Sequence, residues 1–261
     1  GDWSSDVCSS DLTGTLSRGN ENAGILISTS ADTTIGGGGD GNLISGNGSP
    51  GISINAGADG VTILGNRIGT DVDGVTAIGN SVGVYVSTAS NVTIGNSAIG
   101  NLISGNSGDG ITIDGNVTNV AISNNIIGLN LSGTATLRNQ GAGIVLRSPT
   151  TVGGVGVGNV ISGNQSFGIF VDDTGQGSTI RGNLIGSDAT GNSILFNGNS
   201  GIYVNTNSVT IGGTLTGQGN LIVGNQGSGI YLAGDSNTVQ GNLIGTDATL
   251  SLDLGNGGDA G

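Results

Sequence analysis

"GVYVSTASNVTIGNSAIGNLISGN", residues 83–106, carries the pattern of the whole chain in a single pass. "GVYV" alternates inward and outward positions with period two, which marks a short strand. "VTI" at 92–94 alternates again, and "GNLISGN" at 100–106 sets an apolar pair between two asparagines. Turn residues separate the three segments, and nothing sustains the 3.6-residue apolar period of a helix.

Working outward, a Gly–apolar–x–apolar anchor begins at 24, 51, 83, 110, 143, 168, 201 and 229. A "VTI"-like segment and then Asn–x–Ile follow every anchor. Anchor spacing alternates between shorter and longer units, so the true repeat is a pair of units of about 59 residues, within the range of stacked-repeat architectures. One such unit cannot bury its own apolar face, and stacking creates the core. The fold expected is all-β: a right-handed parallel β-helix of about eight coils, each with three short strands. Short and long coils alternate, and like strands stack ~4.8 Å apart. One core column is isoleucine throughout: Ile44, Ile68, Ile103, Ile127, Ile161, Ile185, Ile222 and Ile244. β-Branched residues suit a narrow bore lined by pleated strands.

Two polar columns accompany the core. Asn42, Asn66, Asn101, Asn125, Asn159, Asn183, Asn220 and Asn242 fall at one place in every coil. Stacked amides of this kind bond to one another along an axis. Five residues on, Asn47, Asp71, Asn106, Asn130, Asn164, Asp188, Asn225 and Asp247 make a second column, expected as another turn-forming ladder.

Composition narrows the function. The chain has 261 residues, 56 of them Gly, with five Arg, no Lys, no His and a formal net charge of −13. Nucleic acid demands a basic surface and is not an expected partner. No apolar run approaches the ~18 residues of a membrane-spanning helix. Residues 1–12, "GDWSSDVCSSDL", hold the single Trp and the single Cys and match nothing downstream. They resemble a translated sequencing adapter, as found in metagenomic gene fragments, and are set apart from the fold. Residues 13–23 are read as the approach to the first coil and 24–261 as the β-helix domain, expected to be cut at both ends and to continue into neighbouring coils of a longer chain.

The long units read "GNRIGTDVDGVTAIGN" (65–80), "NNIIGLNLSGTATLRNQ" (124–140), "GNLIGSDATGNSILFNGN" (182–199) and "GNLIGTDATLSLDLGN" (241–256). On these motifs the chain resembles the bacterial right-handed parallel β-helix repeat proteins of the pectin-lyase-like superfamily, in particular large secreted proteins with tandem "GNxIGTDxxGxxxxGN" repeats. The resemblance covers residues 20–261. It implies an extracellular or cell-surface location, and it brings polysaccharide lyases, hydrolases and epimerases into consideration.

Enzymes of that superfamily use clustered carboxylates with basic residues, and this chain lacks the His and Lys that commonly serve as bases. Asp172 and Asp173, in "FVDDTGQG", are the only adjacent acids, and Arg181 is the cation available to pair with them. These three are the candidates if the segment is catalytic. The reading taken is a solvated turn, with no catalytic residue assigned. Asp71 and Asp73, with Asp188 and Asp247 in equivalent loops, are candidate oxygens for Ca²⁺. Asn130 in the remaining loop and the absence of an Asp-rich nonapeptide repeat speak against a calcium array. No other cofactor is expected.

Three outward rows remain. The middle of the anchor strand gives Leu26, Ser53, Tyr85, Thr112, Val145, Phe170, Tyr203 and Tyr231. Its aromatics, Tyr85, Phe170, Tyr203 and Tyr231, are candidate contacts for polysaccharide or surface glycans. Ladder packing is the competing reading. The "VTI" centres form a threonine row broken at Ala121, a remote candidate for an ice-binding face. The residue after each ladder Asn is apolar except Arg67, which suggests a half-covered face or a stripe packing against a missing domain. The function expected is a structural or adhesive segment of a secreted or surface-attached protein that contacts glycans. The alternative is a non-catalytic or partial segment of a pectate lyase-like enzyme.

Overall fold

The computed structural model describes residues 17, 19–38 and 41–257. The adapter-like stretch 1–12 lies outside the described residues. The chain winds into a parallel β-solenoid of eight coils with three eight-stranded parallel sheets, and the described residues include no helix. The first sheet runs from Ile25–Ile27 to Ile230–Leu232, the second from Thr34–Gly36 to Thr238–Gln240, and the third from Leu43–Ile44 to Leu243–Ile244. Within each sheet, successive coils are neighbours.

The register aligns like with like. Ile44 pairs with Ile68, Ile68 with Ile103 and Ile103 with Ile127, and the column continues to Ile244. From Ile68 to Ile222 this column is wholly buried. Each such side chain contributes about 1.5–3 kcal/mol of transfer free energy. In the last described coil, Leu232, Val239 and Ile244 are exposed.

The first asparagine column is a continuous ladder. Asn101 Nδ2 donates to Asn125 Oδ1 at 2.9 Å, and Asn125 Nδ2 to Asn159 Oδ1 at 2.9 Å; the chain of bonds extends from Asn42 to Asn242. Each interior amide also receives a backbone N–H and donates to a carbonyl one coil back, as Asn125 Nδ2 does to Ile94 at 2.8 Å. These buried amides are therefore satisfied, as burial requires.

The second ladder corrects the sequence reading. Its rungs are Asn20, Asn47, Asn80, Asn106, Asn139, Asn164, Asn197, Asn225 and Asn256. Asp71, Asn130, Asp188 and Asp247 are not rungs. They sit in a hairpin-like excursion that each long coil inserts before its rung, closed by antiparallel bridges such as Thr70–Ala77 and Leu129–Thr136. The physical reason is the insert, which carries all four residues out of the ladder line to cap its turn; at the three aspartates a carboxylate, which only accepts, could not serve as a rung in any case.

A glycine launches each excursion. Gly69, Gly128, Gly186 and Gly245 take φ of +94°, +89°, +89° and +80°, where the short coils carry Ser45, Ser104, Ser162 and Val223. Left-handed backbone is open to glycine at no steric cost. Gly51 serves a different purpose: a Cβ there would lie 2.8 Å from the Asn80 amide nitrogen, so the anchor glycine lets the second ladder approach.

The excursions fold over the third sheet and bond to one another across the intervening short coil, Leu131 N to Gly74 O and Ala189 N to Gly133 O, both at 2.9 Å. Leu102 and Leu221, on the outward side of that sheet, are thereby buried. Ile126, Val160, Leu184 and Leu243 stay half-buried and Leu43 is exposed, so the stripe is the half-covered face of the two alternatives, covered in part by the chain's own inserts.

Candidate functional site

The outward face of the first sheet gathers most of the described aromatic side chains and a row of charged ones. Pairing places Leu26, Ser53, Tyr85, Thr112, Val145, Phe170, Tyr203 and Tyr231 in one row. Tyr203 and Tyr231 stack at 4.9 Å with planes 5° apart, and Phe170 meets Tyr203 edge-on at 5.5 Å. Phe167, in the turn before the strand, joins at 5.0 Å from Tyr203 and 5.4 Å from Phe170. Phe167 was not among the sequence candidates; an aromatic immediately before an anchor glycine was the available signal. Tyr231, at the end of the strip, is 48% exposed. Phe167, Phe170 and Tyr203 are half-buried.

Beside this strip runs a polar row, two residues further along each strand and therefore on the same face. Arg147 Nε donates to Asp172 Oδ2 at 3.0 Å, and Arg147 Nη1 lies 3.8 Å from Asp114 Oδ2. The Tyr85 hydroxyl donates to the same Asp114 oxygen at 3.0 Å. Asn205 Nδ2 donates to Asp173 Oδ1 at 2.7 Å. At the corner between the first and second sheets, Asp114, Arg147, Asn116, Asn119, Pro149 and Thr174 line a cleft of 520 Å³.

This geometry corrects one pairing. Arg181 does not meet Asp172 or Asp173; it ends a strand of the second sheet and donates from Nε to the Gly212 carbonyl at 3.1 Å. The true partner, Arg147, follows "GIVL" at the offset by which Asp172 follows "GIFV", so register was the signal that would have found it. Burial first, and then the bond to the Asp114 carboxylate, raise the Tyr85 hydroxyl above its ordinary pKa.

The calcium candidates sit apart from this face. Asp71 Oδ1 accepts the N–H groups of Val75 and Thr76, Asp188 Oδ1 those of Asn192 and Ser193, and Asp247 Oδ1 those of Ser251 and Leu252. Asp73 is exposed on the first of these turns. Among the described residues no three His, Cys, Asp or Glu side chains converge as a metal's ligand set. Asp71, Asp188 and Asp247 each act as a turn cap.

Burial opposes ionisation of Asp71 and Asp188, but the donors outweigh it and both carboxyls lie below the usual aspartate range. The Thr249 hydroxyl and the Leu252 N–H hold Asp247 well below it. A depressed folded pKa gives stability that is present above the unfolded value, ~3.9, and is lost as pH falls through the folded value. Amide exchange protection at Thr76, Ser193 and Leu252 is therefore expected to fall below about pH 4. Ala135, capped by the non-titrating Asn130 amide, serves as the internal control. Equal loss at all four amides would rule out the carboxylates as the cause.

Three stacked parallel sheets, two amide ladders and a slim aliphatic bore define the class as a parallel β-solenoid. The family model "right handed beta helix region" matches residues 68–244, and the chain belongs to that family. No curated protein matches the sequence. Among solved structures, the chain is similar to an alginate lyase from Paenibacillus sp. str. FPU-7, at 14% identity over 84% of this chain and 85% of that one, with a TM-score of 0.48.

Proposed function

We propose that this chain is a non-catalytic, glycan-contacting segment of a secreted or surface-attached bacterial protein, rigid along its axis and adhesive along one face. The observation that carries the reading is the continuous aromatic strip of Phe167, Phe170, Tyr203 and Tyr231 flanked on the same face by Asp114, Arg147, Asp172 and Asn205. Aromatic groups offer apolar area with polar handles, and the row beside them offers donors and acceptors for hydroxyls. Against catalysis stands the absence of His and Lys from the sequence.

A glycan array tests the reading with the native chain and two variants. Tyr231→Ala, at the exposed end of the strip, is expected to lower binding about tenfold, the loss of one good aromatic contact. Thr210→Ala, outward on the second sheet, is expected to leave binding within twofold. Equal binding by all three would end the proposal.

A further inference from the structure

We propose that the glycan this face takes is a neutral one, and that polyuronates are excluded. This rests on the glycan-contact reading above and adds the chemical class.

The reason is the electrostatic state of Arg147, the one cation on the face among the described residues. Arg147 stands between two carboxylates, bonded to Asp172 at 3.0 Å and 3.8 Å from Asp114. Asp173 adjoins Asp172 and bonds only the neutral amide of Asn205 among side chains. Asp109 precedes the strand that ends in Asp114, accepting from the Thr112 hydroxyl at 3.2 Å and the Ala142 N–H at 2.8 Å. One guanidinium thus faces several carboxylates, and the face carries net negative charge before any ligand arrives. The other described arginines are engaged elsewhere or lie on another sheet. Arg138 sits over the Phe196 ring and donates to Gln165, Arg181 bonds the Gly212 carbonyl, and Arg67 is on the third sheet. A uronate chain brings one carboxylate per sugar and finds no uncompensated cation, and like charges brought together disfavour binding.

A neutral sugar meets the opposite situation. Carboxylates, a guanidinium and the Asn205 amide, already oriented by one another, keep lone pairs and N–H groups for hydroxyls. Arg147 and Asp114 also line the 520 Å³ corner cleft, so the polar row leads from the aromatic strip into a concave site for a sugar ring or branch. Pre-orientation lowers the entropy lost on binding.

Affinity electrophoresis or calorimetry decides, at low ionic strength with EDTA, using soluble β-glucan, mannan and xylan against polygalacturonate and alginate. At least one neutral glycan is expected to bind at least tenfold more tightly than either polyuronate. Asp172→Asn removes one charge and frees the Arg147 guanidinium; polyuronate affinity is then expected to rise at least tenfold relative to the neutral ligand. Polyuronate binding by the native chain as tight as neutral binding would overturn the class while leaving the glycan face standing. Binding of no glycan at all would overturn both.

Discussion

Asn125→Ala is expected to destabilise the solenoid by about 4 kcal/mol, near the upper end for single substitutions. The amide is fully buried and makes bonds in three directions. Its Oδ1 receives the N–H and the Nδ2 of Asn101, and its Nδ2 donates to Ile94, Ser123 and Asn159. Alanine strips the partners of both Asn101 donors and of the Ile94 carbonyl inside a dry core. Each stranded buried group costs about 1–3 kcal/mol. Asn42→Ala, at the exposed start of the same ladder, removes only the donation to Asn66 and is expected to cost about 1 kcal/mol. Urea unfolding of both variants measures the difference. Equal midpoints would show that the ladder contributes turn geometry and not buried hydrogen bonding.

Gly128→Ala is expected to cost about 3 kcal/mol or more, through strain and overlap together. At φ +89° the residue occupies backbone that L side chains rarely adopt, and an added Cβ would stand 2.2 Å from the Ser162 carbonyl oxygen. That oxygen belongs to the next coil's backbone, so relief requires the stack itself to shift. Gly156 supplies the matched comparison: its φ is +71°, yet nothing lies within 4 Å of its Cβ position. Gly156→Ala should therefore show the left-handed cost alone, about 1–2 kcal/mol. Thermal unfolding distinguishes the two, and equal losses would remove the steric part of the account.

The solenoid was legible in the sequence because each core position repeats in every coil with one residue type. Ile44 through Ile244 announces an inward column without reference to anything else, and the first asparagine column does the same. The second ladder was misread because the short coil places a polar residue five positions after its first asparagine, and so does the long coil, for an unrelated reason. In the short coil Asn47 is the rung. In the long coil Asp71 caps a turn and the rung waits until Asn80. The chemistry held the distinction: three of the four long-coil residues are aspartates, which cannot pass a hydrogen bond along a ladder. The polar row failed differently. Its members lie on separate coils and are joined only by register, so the Asp172–Arg147 contact emerges once strands are aligned and stays hidden when acids are sought next to each other in sequence.

The inserted hairpins set a unit of length. Because Leu131 bonds Gly74 and Ala189 bonds Gly133 across a short coil, each insert's neighbour is two coils away. Removing or adding one coil would bring two inserts into adjacent rungs, or part them by an extra rung, and break that lateral row. Removing or adding a short and a long coil together preserves both ladders, every sheet register and the row of inserts at once. A gene encoding such a chain can therefore shorten or lengthen its product by whole pairs with no repair elsewhere, and its tolerated lengths form an arithmetic series.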